Sequence, residues 1–416
     1  VMLFLSVWGW LKLESIRWRV FFVLVVFFDF SYTIFLNTIT LKITAFNLPT
    51  CFVSAILMGV GIDRVIKSSQ DFSGIGSGIK NVIKMAFCII PSIPFLTNYD
   101  LCDQSRNYTA YEHAVNIFRT TEYGDTLFMN GDNYVFPVLY GRIAERMRQD
   151  ITLYDRNNIF YKLMDIKESI TPYSISWEDK RNNMEKRVIE KNRDRNIYYA
   201  VFGPYAISLP DQYRFIPYGV LYRVIGKGER ANPKSIINLW KYYSTVSFDE
   251  SFYRDFMNRE VSAYFLFCRG KSQFLAGKSD SGLKLVKLSS EMGYDDNIIH
   301  SEIAIFFTEE GLFKEARLEL EKALIYHEDL SSVYNNWGYY YHKIGDYGKA
   351  TESFRKAIEL KPDDFGYHNN LAFSLYERGK NEESLLSLKR SLAINDNQEE
   401  ISEFIRIHFE KANNVK

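Results

Sequence analysis

Gly277, Gly311, Gly345 and Gly379 stand 34 residues apart, with no insertion between them. A fixed period of that length marks a chain built from copies of one helix–turn–helix unit. Each unit cannot bury its apolar face alone and so stacks on its neighbours. A glycine at the same place in every copy marks the end of the first helix, where the backbone turns to positive φ and a side chain would be strained. The last third of the chain is therefore expected to be an all-α solenoid.

The third copy is the most regular. Counting from Ser331, Trp337 and Gly338 hold places 7 and 8, Tyr341 place 11, Ala350 place 20, Phe354 place 24, Ala357 place 27 and Pro362 place 32. This pattern resembles the tetratricopeptide repeat. The register predicts four units, 263–296, 297–330, 331–364 and 365–398, after a linker or helix at 251–262 and before a capping helix and tail at 399–416. The resemblance implies that the first helix of each unit lines a concave face. There Asn335 and Asn369, Asn336 and Asn370, and Tyr339 and Phe373 form columns one repeat apart. Asparagine amides can bond both N–H and C=O of an extended peptide, and an aromatic column adds apolar contact. Local packing between repeats is the competing reading of the same asparagines. A clamp for a peptide carboxylate needs several cations, yet Lys343 in the third unit is matched by Glu377 in the fourth. The partner expected is thus a protein or peptide bound without such a clamp.

The rest of the chain must form other domains, since 416 residues exceed one ordinary domain. Its 51 basic and 51 acidic residues cancel, so no overall field draws it to nucleic acid. Cys51, Cys88, Cys102 and Cys268 are far apart, with no C-x-x-C and no histidine at ligand spacing, which argues against a disulfide framework or a metal site. The six histidines are dispersed, and no Ser/His/Asp or Cys/His arrangement, phosphate loop or redox pair is evident. No cofactor is implied.

Residues 1–97 are strongly apolar, and the pattern predicts three to four transmembrane helices: a cut-short run at Met2–Leu11, a 19-residue run at Trp18–Leu36, and candidates at Pro49–Ile62 and Met85–Leu96. Lys12, Arg17, Arg19, Arg64, Lys67, Lys80 and Lys84 bias two loops to the cytoplasmic side. That places everything after about Thr97 outside, as in an integral protein of a bacterial inner membrane. Asp29, midway along the second run, is either a functional intramembrane carboxylate or a group bonded to a neighbouring helix. The start at Val1, inside an apolar run, reads as the C-terminal portion of a longer protein.

Residues 98–250 predict a small α/β domain. An apolar run at Thr126–Met129, a turn at Asn130-Gly131-Asp132-Asn133, a helix over Tyr134–Arg148 and a second run at Ile151–Tyr154 form a β-α-β unit. Further strands are expected at Ile197–Phe202 and Gly219–Ile225. Phe136, Leu139, Tyr140, Ile143 and Met147 share one face of the helix. Asn130, Asp132 and Asn133 lie at a strand's C-terminal end, where α/β folds bind ligands. Equally, Gly131 makes the turn and Asp132 or Asn133 caps the helix.

The stretch Gly124-Asp125-Thr126-Leu127-Phe128-Met129-Asn130-Gly131-Asp132-Asn133-Tyr134-Val135-Phe136-Pro137, with Tyr140, Arg148 and Asp150-Ile151-Thr152-Leu153, resembles an integral-membrane family similar to transmembrane protein O-mannosyltransferases. Phe46-Asn47-Leu48-Pro49 and Pro217–Arg223 add partial matches. The resemblance implies a type C glycosyltransferase fold with a lipid bilayer and a lipid-linked sugar as partners. In such enzymes the catalytic carboxylate lies in a first outer loop that would precede Val1, so no catalytic residue is assigned in this chain. Two functions follow: the C-terminal part of a membrane glycosyltransferase that presents an acceptor protein, or a non-enzymatic membrane-anchored scaffold.

Overall fold

The computed structural model describes residues 2–31, 48–71, 78, 81, 82, 85, 105–160, 177–203, 207, 209, 210, 212–230, 233–249, 254–325, 330–396 and 398–410. Two compact units emerge: Val1–Arg106 with Ser251–Phe256, and Asn107–Glu250 with Met257–Lys416.

The first unit holds helices α1 (Met2–Leu11), α2 (Ile16–Ser31) and α3 (Leu48–Asp71). Phe22, Val53 and Leu57 form its buried centre. A Cβ on Gly9 would lie 1.8 Å from the Leu57 carbonyl oxygen, so only glycine permits the close approach of α1 and α3.

These helices overturn the membrane expectation. Among the described residues no helix is long and apolar enough to cross a membrane. The 10 residues of α1 and the 16 of α2 reach about 15 and 24 Å, short of a hydrocarbon core of about 30 Å. The 24 residues of α3 are long enough, but its second half carries Asp63, Arg64, Lys67 and Asp71. Lys67 pairs with Asp63 at 2.7 Å and Arg64 with Glu14 at 3.1 Å. Of the run at 18–36, residues 18–31 belong to α2 and the remainder lies outside the described residues. The transmembrane spans, the inner-membrane location and the extracytoplasmic orientation built on them are therefore not supported. Asp29 falls within α2, but its side chain and most of the fourth candidate run lie outside the described residues.

The second unit opens with α4 (Thr109–Thr120), β1 (Thr126–Met129), α5 (Asp132–Ile143), β2 (Thr152–Asp155), α6 (Trp177–Lys191), β3 (Ile197–Ala200), β4 (Tyr213–Tyr218) and β5 (Leu221–Gly226). The strands form one sheet in the order β2-β1-β3-β5-β4. β1 pairs in parallel with β2 (Thr126 opposite Thr152) and with β3 (Thr126 opposite Ile197), whereas β5 is antiparallel to both β3 and β4. The connections β1-α5-β2 and β2-α6-β3 run in opposite directions across the sheet. Right-handed crossovers then place α5 and α6 on opposite faces. Every residue of β1 and β3 is accordingly buried.

Two polar systems fasten this sheet. At the start of β1, Asp125 accepts from the Glu122 and Asn196 backbone N–H groups, at 2.6 and 3.2 Å. Behind β3, the buried Arg156 donates to Glu185 at 2.6 Å, and the Tyr199 hydroxyl donates to the same carboxylate at 3.1 Å. Removing one partner of a buried ion pair strands the other. Glu185→Ala is expected to cost about 3–5 kcal/mol, and Tyr199→Phe only about 1 kcal/mol. Urea titration followed by circular dichroism measures both; a Glu185→Ala loss no larger than that of Tyr199→Phe would contradict this assignment.

After α7 (Pro233–Leu239) and the short α8 (Val246–Asp249), the chain continues as antiparallel helices: α9 (Phe256–Leu275), α10 (Ser279–Met292), α11 (Asn297–Glu309), α12 (Phe313–Ile325), α13 (Leu330–Lys343), α14 (Tyr347–Leu360), α15 (Phe365–Glu377), α16 (Asn381–Ile394) and α17 (Glu399–Ile405). The four glycines of the 34-residue ladder sit in the turns between partners, at φ of 81°, 74°, 84° and 72°. Nothing lies within 4 Å of a Cβ built on Gly345, so Gly345→Ala tests backbone strain alone. The expected loss is about 1–2 kcal/mol, read from the thermal midpoint; an unchanged midpoint would show that the turn relaxes.

The inner face of the helical repeats

Within a repeat, small residues set the distance between the two helices. A Cβ on Gly338 would lie 2.5 Å from the Phe354 ring, and Ala350 and Ala357 flank that ring fully buried. This packing turns the opposite side of α13 and α15 away from their partners. Asn335, Asn336, Tyr339, Asn369, Asn370 and Phe373 are all half-buried there.

The structure joins these residues differently from the predicted columns. Asn370 Nδ2 donates to Asn335 Oδ1 at 2.8 Å, a diagonal clasp between adjacent repeats. Asn369 Nδ2 donates to Gln398 Oε1 at 2.7 Å, and Phe373 meets the Phe404 ring of α17 edge-on at 5.3 Å. Asn369 and Phe373 therefore serve the cap. The Asn336 side chain makes no hydrogen bond among the described residues. Tyr339 carries the Lys343 ammonium over its ring at 5.4 Å, and burial, then the Glu309 charge, raises its hydroxyl pKa.

One repeat earlier the same places are closed. Ser301, Glu302 and Ile305 stand 34 residues before Asn335, Asn336 and Tyr339, yet they are only 9 %, 4 % and 9 % exposed. The sheet domain covers them. The Tyr222 side chain of β5 faces the Glu302 carboxyl and favours its ionised form. Tyr264 of α9 donates to the Val201 carbonyl at 3.1 Å. At the other end of the stack, Lys227 beside β5 pairs with Glu400 of α17. The sequence held one signal for this cover: Cys268, Glu302, Asn336 and Asn370 form a single ladder of 34-residue steps, and within it Glu302 is buried whereas Cys268 is half-buried.

The turn at 130–133 is anchored to the end of β3. The Asn130 N–H donates to the Ala200 carbonyl at 3.1 Å, tying the ends of β1 and β3 where the sheet order reverses. Gly131, at φ 91°, is the N-cap of α5, and neither exposed Asp132 nor Asn133 supplies a side-chain cap. Phe202 packs against both Tyr134 and Tyr264 in the adjoining space, with ring centroids 5.1 and 4.9 Å apart. No group of His, Cys, Asp and Glu among the described residues is arranged to hold a metal ion.

Burial pushes the Glu302 carboxyl from 4.5 up to about 8, against the opposing pull of the Lys271 ammonium; burial also pushes the Cys268 thiol up to about 12. The folded protein therefore keeps a proton on Glu302 that the unfolded chain releases above about 4.5. Its contribution to stability is complete below that pH and is lost as pH rises through about 8. Glu302→Gln, which keeps a neutral amide there, is expected to flatten this part of the pH–stability curve and to raise the thermal midpoint at pH above 8 relative to the parent. Parallel curves for the two proteins would refute the proton assignment.

The tetratricopeptide repeat family matches residues 331–364. Solved structures similar to the chain include MamA from Desulfovibrio magneticus RS-1, at 14 % identity and a TM-score of 0.31, covering 40 % of this chain and 87 % of that one. PilF of Pseudomonas aeruginosa is similar at 21 % identity and a TM-score of 0.32, covering 38 % of this chain and 72 % of that one. Among curated proteins no match is found. None of these matches extends to the O-mannosyltransferase-like family. Residues 331–364 carry a tetratricopeptide repeat.

Proposed function

We propose that this chain is a protein-interaction scaffold that holds an extended peptide segment of a partner on the half-open inner face of α13 and α15. The observation that carries the reading is the contrast along one ladder. Glu302 is covered by the sheet, whereas Asn336, one repeat later, is half-buried and its side-chain amide makes no hydrogen bond among the described residues. Beside it, the Tyr339 ring supplies a flat apolar contact, with Lys343 over it. Asn335 and Asn370 spend one bond on each other and keep further capacity toward the groove.

Helices pack about 8–10 Å apart, so the open part, from α13 across α15 to α17, is about 20 Å long. That accommodates about six residues of extended chain at 3.3 Å each. Recognition here rests on backbone amides and one aromatic contact, so it selects an extended segment more than a particular charge. An acceptor-presenting role beside a glycosyl-transfer site finds no support in the matched family, which is the repeat alone.

Panning a random heptapeptide display library against the full chain supplies the probe. Recovered peptides are expected to lose affinity about tenfold, ~1.4 kcal/mol, on Asn336→Ala combined with Tyr339→Ala. Asn369→Ala, which loosens only the cap, should leave their affinity within about twofold. A library that yields no binder, or binders indifferent to the Asn336/Tyr339 pair, would exclude this groove as the site.

A further inference from the structure

Helix α5 has two apolar faces. Tyr134, Val135, Val138 and Gly141 are buried inward, and a Cβ on Gly141 would lie 2.7 Å from the Phe118 ring of α4. The opposite side is also apolar. Phe136, Tyr140 and Ile143 follow one another at helical spacing, and all three face solvent. Phe160 sets its ring against Phe136 at 5.5 Å, Ile159 stands beside Phe160, and Tyr111 is exposed on the neighbouring helix α4. These six residues are between 39 % and 69 % exposed. A helix that is apolar all round is ordinarily buried all round, and a contiguous patch of this kind marks an interaction surface.

We infer that this outer face of α5 is the contact between two copies of the chain, related by a two-fold axis across the helix. Three observations favour a second copy as the occupant. First, large side chains bury about 200 Å² each, so the exposed fractions amount to roughly 600 Å² per protomer, approaching the ~800 Å² that each partner contributes to a stable interface. Second, 51 basic and 51 acidic residues leave the chain with no net charge to oppose self-association. Third, a straight stripe at steps of four and three residues along a 12-residue helix is self-complementary when a second such helix lies antiparallel across it. Glu145 and Arg146, of opposite sign, follow the stripe at one end, so a two-fold partner meets no single-sign rim.

Light scattering after size exclusion of the full chain at micromolar concentration is expected to give twice the 48.8 kDa chain mass. Ile143→Glu and Phe136→Glu alter side chains that face solvent in one protomer, so the fold should persist, as a thermal melt would verify. Each should weaken the dimer at least ~10-fold. Phe21→Glu on the exposed side of α2, in the other compact unit, should leave it unchanged. A monomer at every concentration would overturn the proposal. So would a dimer that withstands both α5 substitutions, or one that dissolves on Phe21→Glu. Binding of the monomeric parent to phosphatidylcholine vesicles, abolished by Ile143→Glu, would assign the face to lipid and overturn it equally.

Discussion

Helix α9 is the element through which the sheet and the repeats depend on each other. Seven consecutive residues, Val261 to Phe267, are buried, so this stretch has no solvent face at all. Tyr264 meets Phe202 and the Val201 carbonyl of the sheet domain. Phe265 stacks on Phe248 of α8 at 3.9 Å, and Phe267 points to Phe306 of α11. The Ala263 carbonyl accepts from Ser289 of α10 at 2.6 Å. The consequence is one continuous core from Ile117 of α4 to Tyr340 of α13. A solenoid normally ends in a helix with a polar outer face; here the sheet supplies that end.

This junction decides which part of the inner face is left to a partner. The sheet meets α9 through Tyr264 and α11 through Glu302. It thereby takes the inner face of the first two helix pairs, and α17 closes the far end through Phe404 and Gln398. The open stretch is bounded by contacts that the chain makes with itself. Its position follows from where the sheet docks more than from any special sequence in the third or fourth repeat.

The turns of the repeats were legible because positive φ strongly favours glycine, and the spacing of Gly277, Gly311, Gly345 and Gly379 is a one-dimensional quantity. The strand at 126–129 and the helix after it were legible for a similar reason, as an apolar run followed by a turn containing Gly131. What failed was inference from apolarity alone. The run at 18–36 predicts a span by its apolar length, but such a count does not weigh where charges fall, and the longest described helix of this unit carries Asp63, Arg64 and Lys67 in its second half. The stripe Phe136, Tyr140, Ile143 marks one face of α5 by its periodicity, yet periodicity does not say which face meets the protein; Val138 and Gly141 face inward, and the stripe is exposed. In the groove, the places of Asn335 and Asn370 followed from the period. Their mutual bond did not, because a clasp offset by 35 residues depends on the twist between repeats.

The ladder Cys268, Glu302, Asn336, Asn370 shows how one structural position changes its chemistry with its cover. Under the sheet, burial holds the thiol and the carboxyl in their neutral forms, which are the forms that a place without water tolerates. In the open part the same position carries amides, which have no charge to lose and offer donors and acceptors together. A carboxylate at 336, half-exposed, would ionise near its ordinary range and repel the carbonyls of an extended peptide. An amide at 302, by contrast, has no charge to lose there. The constraint therefore runs in one direction: the buried end of the ladder accepts the chemistry of the open end more readily than the open end accepts that of the buried one.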